Sequence, residues 1–160
     1  MIVYRMLSEP VHVMKEITKP DGTTQRQEII ERRGAYCSGT GMSFQTDFTH
    51  GYLANHPCTD YSVLHQIELE WRIRSPDALV HCFQTWAECR RWFGDWGRHA
   101  INKYDEWGWE LRAYTVDKDW VRRMDHTQSV AKLSEMKKSV ILPFTSLLSQ
   151  KVPQEAKQMT

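Results

Sequence analysis

Four cysteines in 160 residues are too few for a disulfide scaffold of this size, so reduced thiols in a cytoplasm are the expected state. Long apolar runs are missing as well. Nothing approaches the roughly 18 consecutive apolar residues that a bilayer span requires, and no membrane partner is expected. The start, Met1-Ile2-Val3-Tyr4-Arg5, has no basic region followed by an apolar stretch, so a cytoplasmic protein is expected rather than a secreted one. Net charge is nearly absent: 21 Lys and Arg against 20 Asp and Glu leave +1. No long-range field therefore draws nucleic acid or an anionic membrane. No internal repeat and no low-complexity tract is found.

What is present is a core. Hydrophobic residues make up 41% of the chain, and seven of them are Trp. The length suits one domain. Residues 2–7 read as a strand. Val11, Val13 and Ile17 continue on alternate positions, and Lys19-Pro20-Asp21-Gly22 is a turn signal, because Pro presets φ and Gly takes the left-handed position. Residues 25–33 return as the second arm of a hairpin. Residues 34–62 are rich in Gly, Ser, Thr, Asn and Asp and form a long irregular loop, the first place to look for a site. Residues 65–73 alternate and predict a strand, as do 79–83, 109–116, 129–133 and 139–144. Thr85-Trp86-Ala87-Glu88 is a capping box opening a helix with Trp86, Cys89, Trp92 and Phe93 on one face and Gly94 at its end. A second helix is expected over 95–106. The order implies an α+β fold: one compact domain over residues 1–144, a mixed or antiparallel sheet, two short helices and a long irregular loop. Residues 145–160 are polar enough to predict a frayed tail.

Several constellations could carry chemistry. Cys37, His50, His56 and Cys58 are zinc-competent types within the irregular loop, but they lack a Cys-x-x-Cys hook, and scattered polar loop residues are the favoured reading. Arg90, Arg91, Trp92, Trp96, Arg98 and His99 interleave cations with aromatics as single-strand binders do. Helical spacing accounts better for them as an aromatic core beside a solvated basic edge. Ser38-Gly39-Thr40-Gly41 offers amides to an anion without matching a phosphate loop. Arg5, on the first strand, must be paired or bind something, since an unpaired buried cation is costly; a salt bridge is the plainer alternative.

Taken in order, Val3-Tyr4-Arg5, Gly34-Ala35-Tyr36, His56-Pro57 with Asp60, His81-Cys82-Phe83-Gln84-Thr85 leading to Arg91-Trp92-Phe93, residues 108–116 and Gln128 resemble a family of small bacteriophage proteins. That resemblance implies action in a bacterial host cytoplasm, with a host or anti-phage defence protein as partner. The Tyr-Arg pair on the first strand, the small-residue and aromatic segment and the late polar position also resemble the layout of ADP-ribosyltransferases. Carried over, this implies that Arg5 grips the phosphate or ribose of NAD and Tyr36 stacks on nicotinamide. Gln128 then stands at the catalytic glutamate position, with His56 and Asp60 in the substrate-binding set. Gln128 departs from that pattern, because a glutamine supplies no negative charge to an oxocarbenium-like transition state. Glu135, seven positions later, would face the other side of a straight strand.

Two functional readings follow. One is a protein that binds NAD or a related nucleotide, with ADP-ribosyltransferase-like activity; it needs Arg5, Tyr36 and Gln128 in one cleft. The other is a non-enzymatic phage inhibitor of a host or defence protein, which predicts an exposed apolar or charged patch. NAD enters only as a substrate. Neither zinc nor nucleic acid is expected.

Overall fold

A computed structural model of the chain describes residues 1–34, 61–73, 79–95, 97–124 and 128–160. The fold is α+β, and every strand pairing is antiparallel. β1 (Ile2–Thr18) and β2 (Thr24–Gly34) form the expected hairpin. Its turn closes through Lys19 N to Thr23 O (2.8 Å) and Gly22 N to Lys19 O (2.9 Å), with Gly22 at φ 86°. Asp21 accepts from the Thr23 amide at 2.9 Å, the local side-chain bond that makes Asp a turn residue.

The first half of β1 pairs β4 (Glu110–Thr115), which pairs β7 (Ser139–Leu142), so the larger sheet runs β2-β1-β4-β7. A smaller sheet runs β3 (Leu79–Cys82), β6 (Ser129–Lys132) and β5 (Val121–Arg123). The two are joined where β2 leaves β1 at the Leu7–Gly34 pair: Tyr4 and Phe83 exchange amide hydrogen bonds of 2.9 Å in both directions. β5 was not legible, since three residues show no periodicity.

One face of the larger sheet carries the main core, in which Tyr4, Met6, Leu111 and Ala113 meet α2 (Trp86–Phe93) and α3 (Gly97–Glu106). α2 forms for the reasons its sequence gives. Thr85 caps it by accepting from the Glu88 amide at 3.2 Å, and Trp86, Cys89, Trp92 and Phe93 are its buried stripe. The expected reciprocal half of the capping box is replaced by a long-range pair, as the Glu88 carboxylate takes Arg123 Nη1 at 2.8 Å. On the opposite face a smaller core gathers Val3, Cys82, Val116 and Ala131 between the two sheets.

Two expectations are corrected. Residues 65–73 are not a strand: α1 spans Tyr61–Glu70. Val63, Ile67 and Trp71 stand four apart, a helical stripe that the alternation of Ile67, Leu69 and Trp71 disguised, and Ile67 is the member that is fully buried. The helix ends in a Schellman pattern, with Arg72 N to Leu69 O (3.2 Å) and Ile73 N to Glu68 O (2.9 Å), and Arg72 sits at φ 51°. Glycine carries no penalty there. Arg72→Gly is expected to raise stability by about 1 kcal/mol in a urea melt.

Nor is the C-terminal segment frayed. Leu147 and Ala156 are buried in the main core, Val152 and Met159 pack against it, and Trp86 Nε1 donates to Ser149 O at 3.0 Å. α4 (Gln154–Lys157) belongs to this segment. Few apolar residues were needed, because those few are well spaced, so the domain extends past residue 144. Among the described residues no helix is long and apolar enough to cross a membrane.

Candidate functional site

Arg5 lies on β1 with only 7% of its surface exposed. Strand alternation puts it on the same face as Val3, toward the smaller sheet. Its Nε donates to His81 O at 3.2 Å, and its guanidinium lies close enough to the Tyr114 phenol to oppose the rise in its pKa. Its direct neighbour across β4 is Arg112. Arg112 grips Glu110 through Nε (2.8 Å) and Nη2 (3.4 Å), and Arg32 Nε approaches the same carboxylate at 3.4 Å. Burial pushes the Tyr114 phenol up, while Arg5 and Arg112 oppose that rise. The result is a cationic cluster of three guanidiniums with Glu110, able to hold backbone and hydroxyl oxygens in place and, where a group is reachable, an anion. Sequence reasoning found Arg5 but missed Arg32, Glu110, Arg112 and Tyr114, because only the folded register brings them together.

Gln128 is likewise buried, at 4% exposure, immediately before β6, where its backbone carbonyl accepts from Met124 N at 2.9 Å. Nearby Gln84 Nε2 donates to Ser129 Oγ (2.8 Å), and Arg123 holds Glu88, whose other carboxylate oxygen is buried without a hydrogen-bond partner. β3 separates β1 from β6, which puts Arg5 and Gln128 about 10 Å apart, two strand spacings. Ser129 and Ala131 lie on the face of β6 that meets Val3; one residue earlier, alternation turns Gln128 to the other face. Carried one residue back from β6, this alternation sets Gln128 on the face opposite Arg5. Tyr36, His56 and Asp60 lie outside the described residues, as do Cys37, His50 and Cys58. Trp92 is 2% exposed within the main core and Arg90 Nε donates to Leu147 O at 3.1 Å, so this part of the basic-aromatic run is packing.

Among the described residues, one surface feature is the outer part of the hairpin. From Pro10 onward β1 pairs with β2 alone, and most of the described side chains of this ribbon are exposed, with Val13 and its partner Ile29 half-buried. Met14 is 59% exposed, Ile30 63% and Ile17 38%. Charges of both signs alternate along it: Lys15 Nζ meets Glu31 at 2.9 Å, and His12 Nδ1 meets Glu28 at 2.6 Å. At its root the ribbon is fastened, for Arg32 Nη1 donates to Gly108 O (2.7 Å) and Ser8 O (3.1 Å), and Trp109 Nε1 donates to Glu9 (3.1 Å).

No family model, no curated protein and no solved structure matches this chain. Its chemistry is therefore argued from its own geometry.

A groove of about 510 Å³ runs between α3, β4 and β7, floored by Leu111 and Leu142 and edged by Asp105, Glu110, Trp109 and Phe144. Neither Arg5 nor Gln128 lines it. Among the described residues, no group of three or more His, Cys, Asp or Glu side chains could hold a metal ion. Cys82 and Cys89 are fully buried thiols. Burial pushes Cys82 up to about 12 and raises Cys89 further, so neither supplies a thiolate nucleophile near neutrality. Both are expected to resist iodoacetamide at pH near 8 in the folded protein and to react fully in denaturant, as read by peptide mass mapping.

Proposed function

We propose that this chain is a non-enzymatic binding protein, and that the projecting ribbon of β1 and β2 is the surface that grips its target. The phage-family resemblance of the sequence supplies the setting, in which the target is a protein of the bacterial host or of its anti-phage defence. One observation carries the reading: an anchored ribbon holds Met14, Ile17 and Ile30 in water, and among the described residues no side chain of positions 12–30 belongs to either core. Isolated two-stranded hairpins are marginal, and a ribbon anchored only at its root that exposes Met14 and Ile30 on one face is suited to contacts elsewhere. Mixed charge favours a protein over nucleic acid as the partner.

The nucleotide reading has one support of its own, a buried Arg5 beside Tyr114 and Arg112, which suits a phosphate or carboxylate. Against it stands the pleat that turns Gln128 away from Arg5.

The test pairs two measurements. The chain, immobilised, is expected to capture one host protein from bacterial lysate, and a variant with residues 12–30 replaced by a tight turn is expected to stay folded and lose the capture. NAD is expected to leave the melting temperature unchanged and to release no nicotinamide. Equal capture by the shortened variant, or a clear response to NAD, would sink the ribbon reading.

A further inference from the structure

We propose that two copies of this chain join through the free edge of β1 in the ribbon, antiparallel about a two-fold axis at Met14. The inference goes beyond target capture and needs no target to be tested.

The backbone decides which residues can take part. Lys19 N donates to Thr23 O, so Lys19, Ile17, Lys15 and Val13 turn their amides and carbonyls toward β2. Alternation then aims those of His12, Met14 and Glu16 outward. They point along an edge that β4 leaves open, because its last pair with β1 is Leu7 with Glu110. Such an edge is a template for another strand. Pro10, with no amide to donate, stands at its inner end.

The side chains then choose the register. Centring the axis on Lys15 would oppose two lysines, and centring it on Val13 would leave Glu16 facing Pro10. Centring it on Met14 sets His12 of each copy opposite Glu16 of the other and brings the two largely exposed Met14 side chains together. Val13 then faces the aliphatic stem of Lys15. Ile30, paired with His12 on the same face, flanks this contact. The outer edge of β2, centred on Gln27, would match Arg26 with Glu28, but it places Thr24 against Ile30 and Gln25 against Ile29 and offers no apolar pair. The β1 edge is the better complement to itself.

Sedimentation equilibrium of the full chain, from low micromolar to several hundred micromolar, reads the result. A reversible monomer–dimer equilibrium is expected. Met14→Pro removes an outward amide and no bond within the ribbon, so it is expected to abolish the dimer; Met14→Arg, which sets two like charges on the axis and keeps strand dihedrals free, is expected to do the same with an unchanged melt. Glu16→Lys is expected to weaken the dimer about tenfold, and adding His12→Glu to restore it. Monomer across the whole range overturns the proposal, as does a dimer indifferent to both Met14 variants or a charge swap that fails to rescue. Arg26→Glu disrupting the dimer in place of Glu16→Lys would assign it to β2 and also overturn the proposal. Because the dimer covers Met14 and flanks Ile30, it would compete with target capture, but sedimentation of the chain alone reads it without any target.

Discussion

Tyr104→Ala is expected to lower stability by about 4 kcal/mol, a large share of what a domain of this size holds. Tyr104 is fully buried at the centre of the main core. Its ring stacks on Trp109 (centroids 5.6 Å apart, 7° between planes) and meets Phe93 edge-on at 6.1 Å. Its hydroxyl donates to Phe93 O at 2.8 Å, which ties α3 to the end of α2. Truncation loses the ring contacts, opens a cavity and leaves that carbonyl without this donor, whereas Tyr104→Phe removes only the hydroxyl and should cost about 1–2 kcal/mol. The gap between the two variants in urea midpoint, at an unchanged m-value, measures the packing share. A loss below about 1 kcal/mol for the alanine would mean the aromatic cluster is not packed as described. Burial also pushes the Tyr104 phenol well above its ordinary 10.0. The folded state therefore holds the proton more tightly, so its contribution is complete below pH 10 and fades as pH rises above it.

Much of the architecture was legible where local chemistry decides it. The Pro20-Asp21-Gly22 turn fixed the hairpin, and Thr85 with its apolar stripe fixed α2. The misreadings share a cause. In α1, alternate apolar residues fit two periods at once, and only packing of Ile67 chose between them. In the C-terminal segment, composition was weighed where position mattered: Leu147 and Ala156 are each completely buried in a polar neighbourhood.

The site was legible in part only. A strand arginine announces that something must satisfy it, and Arg5 is buried with oxygen partners. Who its neighbours are depends on register: Arg112 lies directly across β4, while Arg32 reaches Glu110 from a different strand. No local pattern encodes those meetings. Strand alternation likewise argues against Arg5 and Gln128 sharing a face, and that argument needs the β1–β3–β6 register. The ribbon was visible as a hairpin with one wet face; that most of its outer part is exposed required knowing that β4 pairs β1 only as far as Leu7.

Gly94→Ala is expected to cost about 2–3 kcal/mol, although alanine is ordinarily at home at its φ of −100°. The cost is one of space. A Cβ there would stand 2.7 Å from Leu147 O and 2.8 Å from Arg90 O, both backbone atoms that cannot rotate aside. Arg90 O already accepts from Gly94 N at 2.6 Å to close α2, and Leu147 O accepts from Arg90 Nε. Either the last turn of α2 opens, or residues 144–148 retreat and draw Leu147 from the core. Gly22→Ala is the contrast: nothing lies within 4 Å of its Cβ, so its cost is the left-handed φ alone, about 1 kcal/mol and confined to the ribbon tip. Hydrogen exchange separates them, because the Gly94 variant should loosen amides across 144–160 while the Gly22 variant should not. If Gly94→Ala melts like the parent, residues 145–160 do not pack on α2, and the polar composition of that segment described it correctly after all.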